Sequence, residues 1–204
     1  NEVFGATEWT LKNGVKVIVK PSTLKADEVR LSAKSLGGAS LLSDEDYFTG
    51  QLLPAIAAMS GVSKFSATDL RKQLSGKTAS VNLSVDDYAN GLEGYASPKD
   101  LETMLQLLYL NFTQPRFSED DFNTMVKMYK SYVENMTSNP DYIAQEELIK
   151  TIYNDNPRRQ QLSVELLDGL QYAHLPAIFQ TLYPGANSFT FTIVGNVDPE
   201  TIKP

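Results

Sequence analysis

The 204-residue sequence has no cysteine and one histidine, His174. Disulfides and thiolate-held zinc are therefore excluded, while the redox compartment is left open. A catalytic zinc needs several converging donors, at least one of them an imidazole or thiolate. A lone histidine does not supply that set, and Ser/His/Asp or Cys/His catalysis would require His174 to do everything. No run approaches the ~18 apolar residues of a membrane span, and the first residues lack a signal peptide's basic and apolar blocks. No membrane insertion is expected. Basic residues are in the minority, 18 against 25 acidic ones, for a formal net charge of -7. That balance argues against a nucleic-acid partner, whose phosphates must be neutralised. No shift of composition or Pro/Gly/Ser-rich linker divides the chain, so one domain over 1–204 is expected. The chain begins without Met and stops at Thr201-Ile202-Lys203-Pro204, within what reads as a new element, so a segment of a longer protein is expected.

What is present is organised around Asp44 to Gly61. Phe48, Leu52, Ile56 and Met59 recur at helical spacing and predict a buried amphipathic helix, with Asp44, Glu45 and Asp46 at its positive end. Pro54 inside it predicts a kink or break. Upstream, Trp9–Leu11 and Val15–Val19 read as strands joined at Asn13-Gly14, followed by a strand over Glu28–Leu36 ended by Gly37-Gly38. Ser66, with Asp69 three residues on, starts a short helix. Thr78–Val85 alternates cleanly as a strand, and Tyr88–Tyr95 returns after Asp86-Asp87. Helices are expected after Ser97-Pro98, after Ser118, from Asn139-Pro140 to about Tyr153, after Ser163 and around Leu175–Leu182. Phe189–Val194 is a last strand, and Asp198-Pro199 opens another helix. Hairpins with helices grouped between them predict an α+β, two-layer module, a largely antiparallel sheet packed against helices.

Candidate chemistry is sparse. The carboxylate pairs Asp86-Asp87, Asp120-Asp121 and Glu146-Glu147 suit acid/base work by type. Adjacent residues on a strand or helix point apart, however, and turn or capping roles fit them better. Arg158-Arg159, on the loop after Asn154-Asp155-Asn156-Pro157, could grip carboxylates or peptide carbonyls, against the plainer reading of solvated surface. An independent hydrolase would need His174 beside acids in a concave pocket.

Taken together, LKNGVKVIVKPS, VRLSAKSLGGAS, the run from Tyr47 to Gly61, the stretch from KFSATDL to SEDDF and the ending LYPGANSFTFTIVGNVDPETIK resemble a module of the pitrilysin-type zinc metallopeptidases. That family includes insulin-degrading enzyme and the mitochondrial processing peptidase. The likeness spans about Trp9 to Ile202 and implies the fold shared by LuxS and the processing peptidases. Active modules carry H-x-x-E-H on the first helix, two zinc-holding histidines and a glutamate base. Laid on this sequence, that motif covers Pro54 to Ala58, with Pro54 and Ala58 at the histidines and Ala57 at the base. Glu134 stands near the third ligand. The resemblance thus implies a degenerate, non-catalytic module, similar to the third of a four-module bacterial zinc protease. It would carry no zinc itself, with zinc expected in a sibling module. Its partners would be sibling modules and the peptide substrate, whose chamber it helps to form. An upstream signal peptide on such a parent would place it in the periplasm or cell envelope. A structural or assembly subunit without proteolysis is the alternative. The family's substrate-gripping Arg and Tyr belong to the following module and are not transferred to Arg158, Arg159 or Tyr172.

Overall fold

The alternating stretches of the sequence become a six-stranded sheet in the computed structural model, which describes residues 3–203. The strands are β1 (Thr7–Thr10), β2 (Lys16–Pro21), β3 (Val29–Leu36), β4 (Ala79–Val85), β5 (Ala89–Ala96) and β6 (Thr190–Gly195). Their order is β1-β2-β6-β3-β5-β4, with β2–β6 the one parallel pair and the others antiparallel. A period of two puts Val29, Leu31, Ala33, Leu83, Phe191 and Ile193 on the buried face. Arg30, Lys34, Ser80, Asn82, Glu93 and Val194 lie on the exposed one. One face is covered and the other is open, which is the predicted two-layer α+β arrangement.

The covering layer consists of α1 (Asp44–Ser60), α2 (Ala67–Gln73), α3 (Leu101–Thr113), α4 (Glu119–Met136), α5 (Pro140–Tyr153), α6 (Val164–Asp168), α7 (Leu175–Leu182) and the short α8 (Pro199–Ile202). Serine caps work as their positions predict: Ser43, Ser66, Ser118 and Ser163 each accept a hydrogen bond from a backbone N–H three residues on. Asn139 and Asp198 do the same two residues on, each with proline as the next residue. Leu31, Leu53, Ile56, Met104, Met125, Ile178 and Phe189 are fully buried between the layers. Tyr183 stacks between Phe179 and Phe189, at 4.9 and 5.8 Å between ring centroids. Its hydroxyl donates to the carbonyls of Ser84 and Gly91, tying α7 to the β4–β5 ladder.

α1 runs without a break through Pro54, and its expected buried face needs correction. Its most buried line is Thr49, Leu53, Ile56 and Ser60, whereas Phe48, Leu52 and Met59 are half-buried at the flank. The reason is that α1 meets β4 on one side and α4 and α7 on others. A helix enclosed on several sides has no single apolar stripe for the sequence to display.

Candidate functional site

The side of α1 that carries Pro54, Ala57 and Ala58 runs beside β4, and the two define a cleft. Local chemistry fixes its walls. Gly61 closes α1 at φ +89, where a Cβ would come within 2.3 Å of the Phe65 carbonyl oxygen. The chain then turns through a bridge between Val62 and Phe65 and starts α2 at Ser66. That reversal brings Leu70 of α2 and Leu74, just past its end, over the end of α1. With Pro54, Ala57 and Ala58 on one side and Ala79 to Leu83 of β4 on the other, they enclose about 160 Å³. No ionisable side chain lines this space, and its polar atoms come from Ser80, Asn82, Asn111 and the backbone.

β4 is an edge strand, paired on one side with β5 alone. An edge strand keeps alternate backbone N–H and C=O groups free of ladder partners. The cleft therefore combines apolar room for a side chain with a row of backbone groups of the kind that an extended peptide pairs with.

Toward the start of α1 a separate depression, lined by Gln51 and by Val85, Asp86, Asp87, Tyr88 and Ala89, is polar. Tyr47 donates its hydroxyl proton to Asp87 at 2.6 Å, Gln51 approaches the same carboxylate oxygen at 3.4 Å, and the Arg159 guanidinium donates to the other. The hydrogen bond from Tyr47, then that from Arg159, holds the Asp87 carboxyl below the usual carboxylate range. Burial, then the bond to Asp87, pushes the Tyr47 phenol up. Arg158 donates to Asp44 at 2.6 Å and to the Leu42 carbonyl at 2.7 Å, with its guanidinium carbon 5.2 Å from the Tyr47 ring centroid. The two arginines latch the 154–161 loop onto the start of α1 and the β4–β5 turn.

The structure brings Pro54, Ala57 and Ala58 together on the cleft wall and leaves the other candidates apart. Arg158 and Arg159 line neither the cleft nor the polar depression and are both engaged internally, with Asp44 and Asp87. Glu134 is exposed on α4. His174, in a turn before α7, is 2.7 Å from Asp46, and neither lines the cleft. Leu70 and Leu74 carry no sequence signal as parts of the site, and Asp87 stands out in the sequence only within the Asp86-Asp87 pair, where a turn role fits better. Their partners lie far away in sequence, and only the capping signals at Ser66 hinted at a helix there. Zinc does not fit the residues present: proline and alanine offer no donor, and among the described residues no group of three His, Cys, Asp or Glu converges.

An α+β module with this strand order, whose first helix bears a cleft without ligands, has the architecture of an M16 peptidase module that lacks a metal-binding site. The comparisons carry the likeness to particular proteins. A zinc protease PQQL-like from Arabidopsis thaliana is 24% identical over 201 residues, spanning 98% of this chain and 18% of its own length. The periplasmic protease PqqL from Escherichia coli superposes with a TM-score of 0.82 at 20% identity, over 97% of this chain and 22% of that one. A peptidase M16 inactive domain from Pseudomonas fluorescens does so at 0.75 and 16%, over 97% of this chain and 48% of that one. No family model matches the chain. The chain is thus homologous, at low identity, to part of the M16, or pitrilysin-type, zinc proteases, and it spans about a fifth of the length of the first two proteins. Among the described residues no helix is long and apolar enough to cross a membrane.

Proposed function

We propose that the chain is a non-catalytic module of a zinc-dependent peptidase, which forms part of the peptide-binding chamber and packs against a zinc-bearing module. The observation that carries this reading is the cleft wall of Pro54, Ala57 and Ala58: the helix that supplies ligands in active modules here supplies only shape. A peptide lying along the free edge of β4 would place one apolar side chain in the cleft, held by backbone pairing without chemistry at the bond to be cut. The open, polar sheet face suits a wall facing a hydrated chamber.

The purified chain is expected to hold far less than stoichiometric zinc by metal analysis and to cut no peptide. The full-length gene product is expected to cleave peptides in a chelator-sensitive way. In that product Ala58→Trp, which fills the cleft, should raise KM several-fold while the zinc content is unchanged. Stoichiometric zinc in the chain alone, or a full-length product without metal-dependent cleavage, would overturn the reading; the second result favours a structural subunit.

Arg158 and Arg159 enter the proposal as peptide contacts beside the polar depression at Asp87, which they make by leaving Asp44 and Asp87. Replacing both with alanine in the assembled enzyme should raise KM more than Asp87→Ala, which loosens the latch while keeping both cations. Equal KM values in the two variants would reduce the arginines to a latch.

A further inference from the structure

Helix α5 is fourteen residues long and contains no buried residue. Its inner side, Tyr142, Glu146 and Ile149, is only half-buried. Its outer side carries Ala144, Leu148 and Ile152, four residues apart and so on one stripe, with Leu148 57% and Ile152 63% exposed. A helix of this length is marginal in water by itself and takes its stability from packing an apolar face. Here the most apolar stripe points away from the body, the reverse of a surface helix that packs only on its own core. The helix is nevertheless tethered near both ends. Asn139 caps its start, the Tyr142 hydroxyl donates to the Leu162 carbonyl at 2.7 Å, and the Arg159 guanidinium lies 5.8 Å from the Tyr153 ring centroid. An apolar stripe on a tethered helix is a preformed contact surface.

We propose that the outer stripe of α5 is the face on which a second module of the same polypeptide docks, through an apolar surface with a basic residue at its edge to meet Asp141. This rests on the modular reading above and assigns it a surface. A module of the same polypeptide is chosen as occupant because four-fifths of the length of the Arabidopsis and Escherichia coli proteins lies outside the matched stretch. The Pseudomonas domain is also about twice the length of the stretch it matches, room for a second stretch of equal size.

Thiol labelling tests the assignment, because this chain contributes no cysteine of its own. Ile152→Cys and, as a reference on the exposed β1–β2 turn, Lys12→Cys are made separately in the full-length gene product. Each is labelled with a maleimide, its rate is normalised to the rate in urea, and the site is read by peptide mapping. The thiol at 152 is expected to react at least tenfold more slowly than the one at 12, independently of protein concentration. Equal rates overturn the proposal, and so does protection that grows with concentration, which would mean that a second copy covers the stripe. Chelator-sensitive cleavage by the same protein is measured alongside. Cleavage with a freely labelled thiol at 152 overturns the docking face alone. Protection without cleavage leaves the face standing and overturns the peptidase reading.

Discussion

Asp87 gathers Tyr47, Gln51 and Arg159 onto one carboxylate that is less than a third exposed, so the charge matters to the fold. Removing it with Asp87→Ala strands a buried phenol and a guanidinium and should lower stability by about 1–3 kcal/mol in denaturant unfolding. The sign with pH follows from the depressed carboxyl. Its contribution is fully present above the unfolded value, roughly 4, and is lost as pH falls through the lower folded value. Unfolding free energy measured from pH 5 downward should therefore fall more steeply in the native chain than in Asp87→Asn. Parallel slopes would mean that Asp87 is not held by these donors. At this scale the sequence was informative about absence and silent about partnership. Pro54, Ala57 and Ala58 could be recognised as chemically empty wherever they lay, because the lack of donors is a property of the residues themselves. The arginines drew notice by type, but their partners Asp44 and Asp87 lie 114 and 72 positions away, and no local pattern reports such distances.

Among elements, those whose start is a capping serine, asparagine or aspartate were legible in the chain, since capping is local chemistry. α5 begins at Pro140, as Asn139-Pro140 predicts, and ends at Tyr153, where its end is expected. β4 and β5 likewise follow from a period of two and the turn between them. The buried line of α1 was missed because enclosure by β4, α4 and α7 is a tertiary fact. The parallel pairing of β2 with β6 was missed as well, because the two strands are more than 160 residues apart and the alternation of each is compatible with either direction. Gly37-Gly38 was read as the end of β3, and the structure supplies the reason. Gly38 has φ +56, and a Cβ there would lie within 2.3 Å of the Asp86 carbonyl oxygen. The β3 exit and the β4–β5 turn are thus pressed together backbone to backbone.

For the molecule as a whole, the order of strands in the sheet does not follow the order of strands in the chain. β6, from the last part of the sequence, lies between β2 and β3, and the β1–β2 hairpin has no other strand neighbour in the sheet. A chain shortened to end before Phe189 should keep β3, β4 and β5 paired while β1 and β2 lose their place, visible as rapid amide exchange throughout residues 7–21 and, in β3, only at the amides that faced β6. Slow exchange there in the shortened chain would show that the hairpin holds without β6. During translation, then, the opening hairpin emerges first and waits for a partner that the ribosome has not yet made. Assembly of the sheet centre is deferred until almost the entire stretch has been synthesised. In a longer polypeptide built from such stretches, each would face this interval with an unclaimed strand, a window in which a neighbour's late strand could fill the wrong gap.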